Sequence, residues 1–238
     1  MKNYLSDVGK RLSAYGRYEV IGHRICPYVQ RVVIALEELG LDYAKMDISL
    51  ENKPSWLSQC SPGGKVPVLM VDNNAIFDSE VICEYLYSIY KESPSISEKL
   101  NIARGLSWCR FSSEILDQFA RLIYLSKNEE SIEDQTKNIR YSIQKLTLLR
   151  FTAPYYSGDT FGVVDACYAP VFRYVYFFGS ALDYDFIGPQ SDLLAWSKNI
   201  LERKSVMNCV PTTYANELAE LIQPVNPFLY SKVQSSIA

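Results

Sequence analysis

The sequence predicts a chain in two parts, an α/β half over residues 17–92 and an all-helical half over residues 98–222. Three observations lead there. Strand-like and helix-like patterns alternate up to residue 90. After residue 98 helical spacing continues almost throughout. Between the two, Lys91 to Ser97 has the Ser/Pro-rich composition of a linker. Residues 1–16 are expected as an N-terminal extension. Residues 223–238, with two prolines and a polar end, are expected as an extended or partly disordered tail.

Each element has its own signal. Tyr18-Glu19-Val20-Ile21 reads as a short strand. Val29, Val32, Val33, Leu36 and Leu39 recur at helical spacing over residues 27–39, and Gly40 stands where a C-terminal cap belongs. Residues 43–48 predict the next strand, residues 54–59 a short helix and residues 66–71 a compact apolar strand. Asp72-Asn73-Asn74 is a turn signal, and residues 75–77 pair back as a hairpin. Asp78-Ser79 opens a helix to Tyr90 with Val81, Ile82, Tyr85, Leu86 and Ile89 on one face. The order β-α-β-α-β-β-α is that of a thioredoxin-like domain. Beyond the linker, helices are predicted over residues 98–126, 131–150, 163–178, 190–203 and 211–222, punctuated by Pro154, Gly158, Gly188-Pro189 and Pro211.

Cys26 is the residue most suggestive of chemistry. Pro27 suits the first position of a helix, where its missing N–H would be unpaired anyway. Cys26 is then at the N-cap, facing free backbone N–H groups and the positive end of the helix dipole. Both favour the thiolate and predict a lowered thiol pKa, with Arg24 and Lys65 as candidate contributors. The position argues for a reactive thiol over a buried small hydrophobe. Three residues on stands Val29, so no second cysteine closes a local disulfide. A lone reactive cysteine must be resolved by another thiol, and a small soluble one is the natural candidate.

Composition narrows the classes. A net charge of −3 supplies no basic field for nucleic acid. Six cysteines, at 26, 60, 83, 109, 167 and 209, are scattered without metal-ligand spacing, and His23 is the only histidine, so no metal site is expected. A chain 48% hydrophobic has ample core without a disulfide framework, which favours a reducing, cytoplasmic setting. Residues 1–16 lack the apolar segment of a signal peptide, and no apolar run has transmembrane length. Gly63-Gly64 fits neither a dinucleotide fingerprint nor a P-loop.

Four ordered segments together resemble the cytosolic glutathione transferase family. Cys26-Pro27-Tyr28-Val29-Gln30-Arg31 is similar to the Cys-Pro-Phe/Tyr segment of its omega class and their glutathione-dependent reductase relatives. Asn52-Lys53-Pro54-Ser55-Trp56 resembles the Asn-Lys-Pro-x-Trp segment of that class. Ser61 to Leu69 resembles the loop and start of strand three, and Asp78 to Leu86 the acid-Ser helix start. In the second half, Asp165 to Arg173 resembles the family's central buried helix with its mid-helix proline, although Gly162 stands where the family usually has a capping Ser or Thr.

The resemblance implies a glutathione transferase fold and a set of roles. Cys26 would form a mixed disulfide with glutathione, with Pro27 architectural beside it. Val66 would pair with the cysteinyl backbone of glutathione like an added strand, next to a cis Val66–Pro67 bond. Asp78 would hold the γ-glutamyl amine. Ser79 and the helix-start N–H groups would hold its carboxylate, and Lys53 the glycine carboxylate. Trp108, Phe111, Tyr124, Tyr174 and Tyr176 are candidates for the wall of a second-substrate site. Conjugating members use a Tyr or Ser instead of Cys; Tyr4 and Tyr15 lie in no recognisable motif.

The function implied is a glutathione-dependent thiol transferase or reductase acting on disulfides, dehydroascorbate or glutathionyl adducts. A dehalogenase or ether-cleaving lyase uses the same cysteine. A non-catalytic partner-binding scaffold is the competing class, and the joint presence of Cys26, Lys53, Asp78 and Ser79 argues against it. The family also implies a homodimer; charge and the lack of a long apolar run predict no nucleic-acid or membrane partner.

Overall fold

A computed structural model of the chain describes residues 17–49, 52–89, 94–149 and 154–237. Two compact units divide between Leu106 and Ser107.

The first unit is built on a four-stranded sheet of β1 (Tyr18–Gly22), β2 (Tyr43–Asp47), β3 (Val68–Val71) and β4 (Asn74–Phe77), in the order β2-β1-β3-β4. β1 runs parallel to β2 and antiparallel to β3, and β4 is antiparallel to β3. All of β1 is buried, with Val20 paired to Lys45 on one side and Leu69 on the other. The β3–β4 turn is two residues long because Asp72 (φ 46°) and Asn73 (φ 71°) both accept left-handed backbone, as a tight hairpin whose twist matches its strands requires. The third strand is shorter than the predicted 66–71, since its ladder pairs only from Val68 onward.

Three helices complete this unit before the long helix begins: α1 (Pro27–Glu38), α2 (Leu57–Cys60) and α3 (Ser79–Ser88). α1 is buried from Val29 to Leu36, Gln30 and Arg31 included. A one-sided amphipathic pattern did not foretell that; α1 packs against both β1 and α3. Gly40, at φ 63°, closes α1: its N–H donates to Glu37 O at 3.2 Å and that of Leu41 to Leu36 O at 3.0 Å. The short helix starts at Leu57 rather than residue 54, its first turn tied by Leu57 N–H to Pro54 O at 3.0 Å.

The expected linker at 91–97 lies partly outside the described residues, and the division into units falls after it, within the next helix. α4 runs unbroken from Ile96 to Tyr124, and nothing in it marks the division after Leu106. It is followed by α5 (Glu129–Gln144), opened by a capping box between Asn128 and Ser131 and extended by one 3₁₀ turn, Lys145–Leu148. Then come α6 (Val163–Leu182), α7 (Ser191–Leu201), α8 (Lys204–Asn208), α9 (Tyr214–Val225) and α10 (Pro227–Ile237). α6 is the buried centre of the second unit and keeps Pro170 in its interior. Phe119 stacks on Phe178 at 5.6 Å beside it. Among the described residues, no helix is long and apolar enough to cross a membrane.

The tail is the clearest correction. Residues 227–237 are helical, not an extended strap. Asn226 is fully buried and serves two helix ends at once. Its Oδ1 accepts from Leu229 N–H at 3.0 Å, capping α10. Its Nδ2 donates to the carbonyls of Ile123 (3.0 Å) and Ser126 (2.7 Å) at the end of α4. Leu229 and Val233, one turn apart, are wholly buried. Pro227 is therefore a helix-opening proline rather than a breaker.

Candidate active site

The β1–α1 turn positions the cysteine. Cys26 N–H donates to His23 O at 2.9 Å, Cys26 O accepts from Gln30 N–H at 3.1 Å, and Pro27 occupies the first helical position. Cys26 is the N-cap of α1, with φ −64° and ψ 125°, and is half-buried. The expected lowered pKa is not what results. Burial pushes the thiol above its ordinary value and is the largest influence on it. Four groups pull the other way: the backbone N–H groups of Val29 and Tyr28, then the positive charges of Arg31 and Lys53. Arg31 and Lys53, rather than the expected Arg24 and Lys65, are thus the cations that pull most on the thiol.

Lys53 is exposed and donates from Nζ to the Gly64 carbonyl at 3.0 Å. That carbonyl belongs to a tight loop in which buried Ser61 accepts twice: its carbonyl from Gly64 N–H at 2.7 Å, its Oγ from Lys65 N–H at 3.2 Å. Gly64 has φ 57°, so glycine suits this corner. The loop leads into Val66 and Pro67, joined by a cis peptide bond. Val66 is half-buried and packs on the cluster of Ile21, Ile48, Leu57, Val68 and Met70, with Trp56 and Cys60 alongside. Pro67 is buried.

The start of α3 differs from the expected layout. Asp78 is exposed and held at φ 74°, an uncommon conformation for a residue with a Cβ. Its Oδ1 accepts from Glu80 N–H at 2.9 Å and from Val81 N–H at 3.4 Å. Those two helix-start donors, expected to serve a ligand carboxylate, are already satisfied from within the chain. Ser79 is buried, and its Oγ accepts from Arg31 Nη1 at 3.2 Å. Helical spacing alone assigns Arg31 no role, because it treats a charge as a solvated face. Its only sequence signal was its place among Val29, Val32 and Val33 on an otherwise apolar helix.

The second-unit candidates do not share one environment. Tyr174 is buried, packed edge-on against Phe119 at 5.4 Å and Phe178 at 5.6 Å, so it is a core residue. Tyr176, two residues on and therefore across the helix, is 38% exposed and shares a 2.8 Å hydrogen bond with Ser197 Oγ. Trp108 and Phe111 are half-buried and meet edge to face at 5.9 Å; Trp108 O accepts from Tyr168 Oη at 3.1 Å. Tyr124 is exposed at the end of α4. Tyr4 and Tyr15 lie outside the described residues. Among those described, no group of three His, Cys, Asp or Glu side chains is placed to hold a metal ion.

A thioredoxin-like domain with cysteine at the start of its first helix, followed by an all-helical domain, defines the class. Comparison with known proteins agrees. The family model for the N-terminal domain of glutathione S-transferases matches residues 20–94. Glutathione S-transferase DHAR2 of Arabidopsis thaliana is 31% identical over 66% of this chain and 69% of its own. Glutathione S-transferase U28 of the same plant is 27% identical over 78% of this chain and 84% of its own. The crystal structure of glutathione transferase Omega 3C from Trametes versicolor superposes with a TM-score of 0.71 at 24% identity, covering 86% of this chain and 94% of that one. The chain belongs to the glutathione S-transferase family of enzymes.

Proposed function

We propose that the chain is a glutathione-dependent thiol transferase or reductase of omega-like type, with Cys26 as its nucleophile. The observation that carries this reading is the placement of Cys26 at the N-cap of α1, where two backbone N–H groups and two cations favour its anion. In the first step the Cys26 thiolate attacks the glutathione sulfur of a glutathionylated substrate. A Cys26–glutathione disulfide forms, and the substrate sulfur leaves as a thiolate that takes up a proton. In the second step a glutathione thiolate attacks that mixed disulfide, releasing oxidised glutathione and returning Cys26 as thiolate. A thiol held above its ordinary value has a smaller anionic fraction at neutral pH, but its thiolate is intrinsically the stronger nucleophile.

Glutathione is read as co-substrate. Asp78 and Ser79 take its γ-glutamyl end, Val66 its cysteinyl backbone and Lys53 its glycine carboxylate. With the Glu80 and Val81 N–H groups occupied, Ser79 becomes the main partner left at this helix start for the carboxylate. Trp108, Phe111, Tyr124 and Tyr176 remain candidates for the second-substrate wall. A panel of disulfide, dehydroascorbate and glutathionyl-ketone reduction, set against chloro-dinitrobenzene conjugation, tests the reading. Reduction that survives Cys26→Ala, or conjugation alone, would refute it.

A homodimer is part of the same proposal. Phe77, Val81, Ile89, Ile96 and Leu100 of the first unit are apolar yet 38–87% exposed, and a second copy is the occupant that the family implies. Light scattering at micromolar concentration should give twice the 27.2 kDa of one chain. A monomer mass refutes the dimer and leaves the cysteine chemistry standing.

A further inference from the structure

Arg31 is large, charged and wholly buried. A guanidinium does not shed its proton in a protein, so such burial persists only where partners hold it. Nη1 donates to Ser79 Oγ at 3.2 Å and stands 3.9 Å from Glu80 Oε1. The guanidinium also lies over the Tyr28 ring, 5.1 Å from its centroid. Tyr28 is in the first turn of α1, directly after Cys26-Pro27; Ser79 and Glu80 open α3. One side chain therefore joins the first turns of the two helices that carry the proposed nucleophile and the proposed γ-glutamyl site.

We infer that Arg31 is a positioning residue coupling the two ends of the glutathione site: it fixes the Ser79 hydroxyl as a donor toward the incoming carboxylate and sets a permanent positive charge within reach of Cys26. This rests on the glutathione reading above. A hydroxyl has one proton and two lone pairs. With a lone pair taken by the guanidinium, the Ser79 proton turns away from Arg31 and is offered to an acceptor arriving from solvent. The same charge is among those that favour the Cys26 anion, along with that of Lys53. The two differ in screening: Lys53 is exposed, so salt weakens it, whereas Arg31 is shielded from solvent. Asp78 and Glu80 at the start of α3, Glu19 buried on β1, and His23 and Arg24 in the β1–α1 turn are further titratable or charged groups on the elements packed against α1 at this end.

Two readouts on Arg31→Met, Arg31→Lys and Ser79→Ala test the inference. One is the pH dependence of Cys26 alkylation without glutathione, with the site located by mass. The other is KM and kcat for glutathione in disulfide reduction. Arg31→Met should move the alkylation midpoint upward and raise KM by about tenfold, the scale of one lost hydrogen bond to a charged partner. Arg31→Lys should keep the midpoint near wild type but still raise KM, because an ammonium lacks the fork that spans Ser79 and Glu80. Ser79→Ala should raise KM and leave the midpoint in place. A merely structural Arg31 would lower the unfolding temperature without moving the midpoint of the folded variant. Unchanged midpoint and KM in folded Arg31→Met overturn the inference. If that variant does not fold, wild-type KM in both Arg31→Lys and Ser79→Ala overturns it. Absence of glutathione binding to the wild-type chain instead overturns the proposed function, and the ligand-free alkylation profile still decides the hold of Arg31 on Cys26.

Discussion

Asp78 and Asp165 both stand at helix starts, and both accept hydrogen bonds from backbone N–H groups, yet they behave as opposites. Asp78 is exposed, commits Oδ1 to its own helix and holds an uncommon φ of 74°. Asp165 has no solvent exposure. Its Oδ1 accepts from Tyr156 N–H at 2.9 Å and Trp196 Nε1 at 2.7 Å, and its Oδ2 from Gly162 N–H at 2.8 Å. Burial is the largest influence on its pKa and raises it to about 6, against the pull of those donors. The same local motif makes a solvent-facing group where solvent reaches it and a tertiary clamp where solvent is shut out. Cys26, half-buried at a third helix start, belongs with the first kind. Substitutions at Cys26 and Asp78 should then change kinetics more than stability, and substitutions at Asp165 the reverse.

The largest expected effect is at Cys26. Cys26→Ala should abolish disulfide reduction and leave the unfolding temperature close to wild type, since the residue is half-buried and caps through no side-chain hydrogen bond. After treatment with oxidised glutathione, intact mass should show one glutathione on Cys26 in the wild-type chain and none there in the variant. The alkylation midpoint of wild-type Cys26 should lie above the ordinary thiol value of about 8.5, because burial outweighs the donors and cations around it. A midpoint below that value would mean that the cap and charges win.

Asp165 comes next, with its effect on stability. Asp165→Ala leaves three buried donors without an acceptor, at about 1–3 kcal/mol each when uncompensated, so a loss of about 3 kcal/mol or more is expected in denaturant unfolding. The sign of its pH dependence follows from a folded value near 6 against about 3.9 in the unfolded chain. The folded state holds the proton more tightly, so this group's contribution is fully present below the unfolded value. It is lost as pH rises through the folded value, by about 3 kcal/mol in all. Asp165→Asn should flatten that slope between pH 4 and pH 6. Asp165→Ala with wild-type stability but raised glutathione KM would erase the contrast with Asp78.

What the sequence made legible divides along the same line. Elements with local signals were readable: Gly40 ending α1, Asp72-Asn73 turning the hairpin, Cys26-Pro27 opening a helix. The segments that carry the family resemblance were readable because their motifs are contiguous. What escaped was set by contacts distant in sequence. Arg31 meets Ser79 across 48 positions, and Asn226 reaches Ser126 across 100. Neither periodicity nor propensity registers such pairs. The raised Cys26 thiol escaped for a related reason: an N-cap is visible in sequence, whereas the burial that opposes it is a property of the folded neighbourhood. Tyr174 and Tyr176 looked equivalent until the helix put one in the core and the other on the surface.

Asp78→Ala should raise the glutathione KM by about tenfold with little change in kcat, because it removes a ground-state charge-assisted bond. Its stability cost should be about 1 kcal/mol, that of a lost N-cap, with no offset from the positive φ, which Ala tolerates no better than Asp.

The smallest effect, and the finest test, is at Lys53. Its ammonium is exposed and already donates to Gly64 O, so a ligand carboxylate would share it with the loop and with water. Exposed ion pairs are worth about 0.2–1 kcal/mol, which corresponds to a rise in glutathione KM of about fivefold at most for Lys53→Ala. The rise should shrink as salt is added, since charges facing solvent are screened within about 10 Å at 0.1 M. That of Asp78→Ala should shrink less, because part of its loss is the displaced helix start rather than a charge pair in water. Lys53→Ala also removes one of the cations acting on Cys26, so the alkylation midpoint should move further upward. A KM change at Lys53 as large as that at Asp78, and indifferent to salt, would show that Lys53 is desolvated when ligand is bound. The line between ligand-facing and buried charges would then have to be drawn in the complex rather than in the free chain.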